Sequence, residues 1–171
     1  PKIIGGINEE SSLRAKEVLG RLGGGCSIAS SPKVAEMCKL VDNVYRASNI
    51  AFANELGMIC EGVGIDAYEV ASVVNQSYPR TKIFKPGLGA DGPCLSKDPL
   101  ILKYAASRYG VQTPVTDGVI FQNKHSTLRI TEMVKKHILK NNLGKINLSI
   151  AGLAFKGFPE TDDLRGSPAI K

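Results

Sequence analysis

The feature that most constrains this chain is the run from residue 31 to residue 61. Ser31 is a good N-cap and Pro32 a favoured first helical residue, so a helix start is signalled there. After Pro32 neither glycine nor proline intervenes until Gly57, and Gly62 and Gly64 then supply a stop. The resulting helix makes roughly eight turns, long for a globular domain. At about 100° per residue, Glu36, Lys39, Asn43, Arg46 and Asn54 share one stripe roughly 80° wide. Leu40, Val41, Val44, Tyr45, Ala47, Ala51, Phe52, Leu56, Met58 and Ile59 cover about half of the circumference elsewhere. Such a helix is expected to be buried on more than one side. Either it is a domain-core helix with a solvated seam, or it has a partner subunit on one side and a functional site along the seam.

The chain has 171 residues, 43% hydrophobic and 22% charged, ordinary values for a soluble protein with a real core. Its net charge of +6 raises the question of nucleic acid. However, Lys and Arg are scattered, with no run longer than the Lys135-Lys136 pair and little aromatic interleaving. A nucleic-acid-binding helical domain is therefore disfavoured, whereas a site for an anionic small molecule fits. The four cysteines, Cys26, Cys38, Cys60 and Cys94, lack CxxC spacing and have only two histidines to join them. No metal site is expected, and the thiols read as reduced and cytoplasmic. No apolar stretch reaches membrane length and no signal-peptide pattern is present. The first residue is Pro1 rather than Met, as expected for a piece of a longer protein.

In chain order, residues 2–6 form a short apolar, strand-like run ended by glycines. Asn8 is positioned to cap a helix to about Leu22, with Leu13, Ala15, Val18, Leu19 and Leu22 as its apolar face. Residues 26–30 make a short, extended link into the long helix. Asp66 caps a second helix to about Asn75, and residues 77–90, with Pro79, Pro86, Gly87 and Gly89, must be largely irregular. Asp98-Pro99 reads as an N-cap and first-turn proline opening a helix to Tyr109. A last long helix follows Thr113-Pro114 to Lys140, with Val119, Ile120, Ile130, Met133, Val134, Ile138 and Leu139 as buried candidates. Residues 145–152 then alternate in strand fashion through Ile146, Leu148 and Ile150, although the remaining residues supply no sheet neighbours.

Residues 87–92, GLGADG, match the G-x-G-x-x-G pattern of dinucleotide-binding turns. That fingerprint requires a strand before it and a helix beginning within it. Here Pro86 breaks the approach, Pro93 follows the last glycine, and Asp91 would set a carboxylate against the pyrophosphate. The match is therefore read as coincidence. The glycines do allow close approach to Cys94, with Lys97 and Asp98 three and four residues on. A thiol in a glycine-lined loop ahead of a helix, near lysines, has physical reason to act as a nucleophile. The bland alternative is a buried, inert Cys94 and an Asp98 that only caps its helix.

The motifs in order are E-x-x-K-x-x-x-N (Glu36, Lys39, Asn43), Asn54-Glu55, G-x-G-x-x-G-P-C-x-x-K-D (Gly87 to Asp98), G-L-A-F-K (from Gly152) and D-D-L-R-G-S-P (to Pro168). This order and spacing resembles the nucleotide-sugar 6-dehydrogenases, the UDP-glucose/GDP-mannose dehydrogenase family. The resemblance covers essentially the whole chain, and residues 49–56 and 86–98 resemble most the N-acetylhexosamine-type members. The fold it implies is mainly α: an all-helical central dimerisation domain, like the C-terminal domain of 6-phosphogluconate dehydrogenase, with short stubs of flanking α/β domains. Residues 1–6 would be the exit from an N-terminal NAD-binding domain. Residues 7–144 would be the central domain, and 145–171 the start of a C-terminal nucleotide-sugar-binding domain.

The resemblance implies an NAD-dependent enzyme that oxidises the C6 alcohol of a UDP- or GDP-sugar to the uronic acid, supplying polysaccharide synthesis. Cys94 would be the nucleophile that carries a thiohemiacetal and then a thioester. Lys39 and Asn43 would stabilise charge on the C6 oxygen and position water, and Asp98 would assist thioester hydrolysis. Lys156, Arg80, Lys97 and Gly92 fall at substrate-binding positions, with Arg80 reaching the sugar across the dimer, and Arg165 at a cofactor contact. NAD would be held mainly by the missing N-terminal domain, so this chain alone is expected to be inactive. A homodimer through the 31–61 helix is expected, with no nucleic acid or membrane partner. The family usually has Gly-Gly where this chain has Asp91-Gly92. The competing reading is a stand-alone helical dimerisation module with a structural Cys94.

Overall fold

In a computed structural model, residues 1–90 and 92–154 are described. The elements are β1 (Lys2–Ile4), α1 (Glu9–Gly20), β2 (Cys26–Ile28), α2 (Pro32–Val63), α3 (Ala67–Ser77), α4 (Asp98–Ser107) and α5 (Pro114–Lys140). Two compact units divide the chain, Pro1–Asn43 and Val44–Lys171, the division falling within α2.

In the first unit β1 and β2 pair in parallel, Lys2 opposite Cys26 and Ile4 opposite Ile28, with α1 as the crossover. A parallel pair needs such a crossover, so the extended link read at 26–30 is the second strand of a β–α–β unit. Asn8 caps α1 with a capping box: its Oδ1 accepts the Ser11 N–H at 2.9 Å, and Ser11 Oγ accepts the Asn8 N–H at 3.2 Å. The apolar face expected on α1 is corrected. Leu13, Val18 and Leu22 are exposed, and the buried α1 residue is Ser12, whose Oγ accepts the Gly6 N–H at 3.0 Å.

The second unit has a core of small residues. Ala47 and Ala51 on α2 meet Val119 on α5, and Val44, Ala53, Cys60, Ala67 and Ala71 are buried as well. Met133 and Leu139 of α5, expected to be buried, are exposed, while Ile120, Ile130, Val134 and Ile138 are half-buried. α4 packs on α5, and Arg129 pairs with Glu61. Asp66 caps α3 through its Oδ1 to the Tyr68 N–H at 2.8 Å.

Along α2 only Asn43 and Asn54 of the polar stripe are buried, at 1% and 4% exposure; Glu36, Lys39 and Arg46 are exposed. Much of the apolar surface is exposed too, with Tyr45 at 67%, Phe52 at 56% and Ile59 and Val63 also open. Residues 145–154 carry neither helix nor strand. Their alternation finds no pairing strand among the described residues, and an isolated strand gains no ladder. No helix of the described residues is long and apolar enough to cross a membrane.

Candidate active site around Cys94

Between α3 and α4, the described residues of 78–97 form no helix or strand, so their backbone groups must be paired by other means. Helix side chains do this. Asn75 of α3 accepts the Ile83 N–H at 2.7 Å and donates to the Ile83 carbonyl at 2.8 Å. Tyr68 donates its hydroxyl to the Pro86 carbonyl at 3.1 Å. Asn54 of α2 accepts the Gly87 N–H at 2.7 Å. On α5, Thr127 donates to the Leu88 carbonyl at 3.3 Å, and Asn123 both accepts from the Ala90 N–H and donates to the Ala90 carbonyl. Asn75 and Asn123 play no part in the sequence reading. The available signal was, for Asn123, an asparagine in a helix interior, where its amide disfavours the helix unless it is bonded elsewhere; Asn75, in the last turn of α3, carried no such signal.

The glycines now have individual reasons. Gly89 has φ +122°, and a Cβ there would stand 2.8 Å from Asn123 Oδ1. Gly57 of α2 lets Pro86 approach, since a Cβ would meet the proline ring at 3.0 Å. Gly92 has φ 93°.

Cys94 follows this loop. It is the exposed one of four free cysteines, whereas Cys26 and Cys38 are half-buried and Cys60 is buried. Its carbonyl accepts the Asp98 N–H at 2.9 Å and the Lys97 N–H at 3.2 Å, so the chain turns from Cys94 directly into α4. Ser96 Oγ donates to the Gly92 carbonyl at 2.8 Å, closing the same turn. The capping role expected of Asp98 is corrected: Asp98 is the first residue of α4, Lys97 is the N-cap, and no side-chain cap bond forms. Instead the Asp98 carboxylate, 3% exposed, pairs with Lys97 Nζ at 2.5 Å. Lys97 is thereby held above its ordinary pKa of 10.5, mainly by the hydrogen bond to Asp98, then by the charges of Asp98 and Cys94, with desolvation opposing. Cys94, Lys97, Asp98 and Gly92 thus lie together.

Lys39 and Asn43 meet in the first unit, where Lys39 Nζ donates to Asn43 Oδ1 at 3.2 Å and lies 3.6 Å from Asp42. Arg80 is exposed in the turn after α3. Asp91, Lys156 and Arg165 lie outside the described residues.

Neither glycine turn fits a dinucleotide's pyrophosphate. At 87–92 no strand precedes, and the Gly87 and Ala90 amides are already taken by Asn54 and Asn123. Where β1 leads into α1, the Gly6 N–H and the first-turn Ser11 N–H are taken by Ser12 and Asn8. Among the described residues no group of three or more His, Cys, Asp or Glu side chains could hold a metal ion.

The profile of the UDP-glucose/GDP-mannose dehydrogenase family, central domain, matches residues 33–125. A UDP-N-acetyl-D-mannosamine dehydrogenase of Methanocaldococcus jannaschii is 36% identical over 170 residues, which are 99% of this chain and 38% of that protein. An NDP-N-acetyl-D-galactosaminuronic acid dehydrogenase of Ralstonia solanacearum is 36% identical over 171 residues, 99% of this chain and 38% of that protein. The solved structure of a UDP-D-ManNAc dehydrogenase from Pyrococcus horikoshii superposes with a TM-score of 0.85 at 33% identity, covering 98% of this chain and 39% of that one. The chain spans about two fifths of the length of these relatives.

Proposed function

The chain belongs to the UDP-glucose/GDP-mannose dehydrogenase family, and from that membership we propose that it is the helical, thiol-bearing core of an NAD-dependent nucleotide-sugar 6-dehydrogenase. The observation that carries the proposal is the exposed Cys94, set at the end of a glycine loop whose backbone is tied to three helices, beside the Lys97–Asp98 pair. A merely structural thiol would be buried, as Cys60 is. The relatives' names favour a UDP-N-acetylhexosamine substrate.

The reaction removes two hydrides from C6. The acceptor the family implies is NAD, which the described residues do not fit; the steps derived for this chain are those of its own side chains. At the aldehyde stage the Cys94 thiolate adds to C6, forming a C–S bond while the carbonyl electron pair moves to oxygen, which is then protonated. After oxidation to the thioester, water adds to the carbonyl carbon and the C–S bond breaks. The electron pair leaves with sulfur and the acid is released. Asp98 is the carboxylate that takes the water proton, and Lys97 holds it in place. Lys39 and Asn43 are assigned to the C6 oxygen and the water by motif order, and Gly92, Arg80 and Lys156 to substrate and Arg165 to cofactor on the same ground.

In this reading the first domain's exit is placed at 1–6, the central domain at 7–144 and the third domain's start at 145–171, with the β1–β2 pair crossing the first of these bounds, and the location is cytoplasmic. The open apolar row of Tyr45, Phe52, Ile59 and Val63 on α2 supports a homodimer. The test is replacement of Cys94 by Ala and by Ser in the full-length protein that carries this chain. With UDP-N-acetyl-D-mannosamine and NAD, Cys94→Ala should abolish acid production. Cys94→Ser should stall as a slow ester, seen as added mass on the intact protein. Normal acid production by Cys94→Ala overturns the assignment.

A further inference from the structure

Resting on that reading of Cys94, we propose that Asn123 is a positioning residue of the reaction, clamping both hydrogen-bonding groups of Ala90 and so fixing the loop that carries the thiol. Ala90 is buried, four residues before Cys94, and its N–H and carbonyl are both paired to the one Asn123 amide. A two-point contact of this kind fixes rotation as well as translation, as a strand partner does. Among the described residues between α3 and α4 no helix or strand is present to do so.

The surroundings are built for it. Thr127, one turn further on α5, holds the Leu88 carbonyl, and Asn54 on α2 holds the Gly87 N–H from another helix. Gly89 lies between these contacts, and the absence of a Cβ lets the loop close on Asn123. Asn123 and Thr127 also border a cavity of about 280 Å³ together with Leu95 and Ser96, the two residues after Cys94. Asn123 therefore touches the loop before the thiol and borders the cavity lined by the two residues after it. Without it, two buried peptide groups would lose their partners, and the loop would have to move to find others. Misplacement of a nucleophile by about 1 Å is enough to cost a hundredfold in rate.

The experiment is made on the full-length protein with Asn123→Ala, Asn123→Asp and Thr127→Val, using UDP-N-acetyl-D-mannosamine and NAD as probes. Asn123→Asp keeps an acceptor for the Ala90 N–H but sets a carboxylate against the Ala90 carbonyl, so it should be as damaging as the alanine. Both should lower kcat by about ten- to a hundredfold and change KM much less. They should also shift the iodoacetamide alkylation rate of Cys94 at least about threefold, with circular dichroism unchanged. Thr127→Val, which loses one bond of the clamp, should lower kcat a few-fold and decides the matter if the Asn123 variants do not fold. Folded Asn123 variants with kcat and alkylation rate within twofold of the parent overturn the proposal, as does an unaffected Thr127→Val should they fail to fold. The alkylation readout does not depend on turnover. An active Cys94→Ala would therefore remove the catalytic reading while leaving the clamp measurable, and an inactive Cys94→Ala beside active Asn123 variants would remove the clamp alone.

Discussion

Asn75 meets Ile83 as one strand residue meets another: its amide accepts the Ile83 N–H at 2.7 Å and returns a hydrogen bond to the Ile83 carbonyl at 2.8 Å. The contact ties the last turn of α3 to the start of an irregular segment. Replacing Asn75 by Ala should cost about 1–2 kcal/mol, the net worth of two hydrogen bonds at an exposed position. Urea unfolding checks it, and a loss below about 0.3 kcal/mol would show that water replaces the amide without penalty.

The glycines of the 87–92 motif should divide sharply. A Cβ at Gly89 meets Asn123 in a left-handed backbone, whereas a Cβ at Gly87 meets nothing within 4 Å. Gly89→Ala should therefore destabilise by about 1–3 kcal/mol. Gly87→Ala should stay within about 0.5 kcal/mol of the parent. Equal effects in the same urea titration would contradict this account of the loop.

The four thiols should react in order of exposure. N-ethylmaleimide under native conditions should modify Cys94 first and Cys60 last, with Cys26 and Cys38 between, as followed by peptide mass spectrometry. Early modification of Cys60 would show that its burial is not retained in solution.

The Lys97–Asp98 pair predicts a pH dependence with a definite sign. Lys97 is raised above 10.5 on folding, so its contribution to stability is complete below that value and lost as pH rises through the higher, folded value. The difference in melting temperature between the parent and Lys97→Met should thus be constant from about pH 6 to 7.5. A difference that changes over that range would mean that another group titrates in the pair.

If α2 forms a homodimer interface, Phe52→Asp should separate the protomers with little change in the fold of each, because Phe52 is exposed. Loss of a central aromatic anchor is worth about 2 kcal/mol, roughly thirtyfold in the dissociation constant. Light scattering after size exclusion measures it. An unchanged dimer mass at micromolar concentration places the interface elsewhere.

Much of the fold was legible in the chain because it is written in local chemistry. Pro32, Asp66, Pro99, Pro114 and Asn8 start helices through backbone geometry and side-chain caps that act within four residues, so helix limits could be placed to within a turn or two. The motif around Cys94 was legible for the same reason, being a short run of glycines, prolines and charges. Other features were settled only in three dimensions. The parallel pairing of β1 with β2 joins residues about two dozen positions apart, and three-residue strands carry too little pattern to announce it. The apolar positions of α1, α2 and α5 looked alike by periodicity. Which were covered depended on which face of each helix another element packs against, and so Leu13, Tyr45 and Leu139 are open while Ala47 and Ala51, which meet Val119, are not. Asp98 read as a cap by position, but a nearby ammonium offered it a stronger partner than the helix amides. The asparagine contacts of the thiol loop join positions 33 residues apart, at Gly87 with Asn54 and at Ala90 with Asn123. Periodicity and caps report only neighbours along the chain, and only tertiary packing brings a helix asparagine to an unpaired loop peptide.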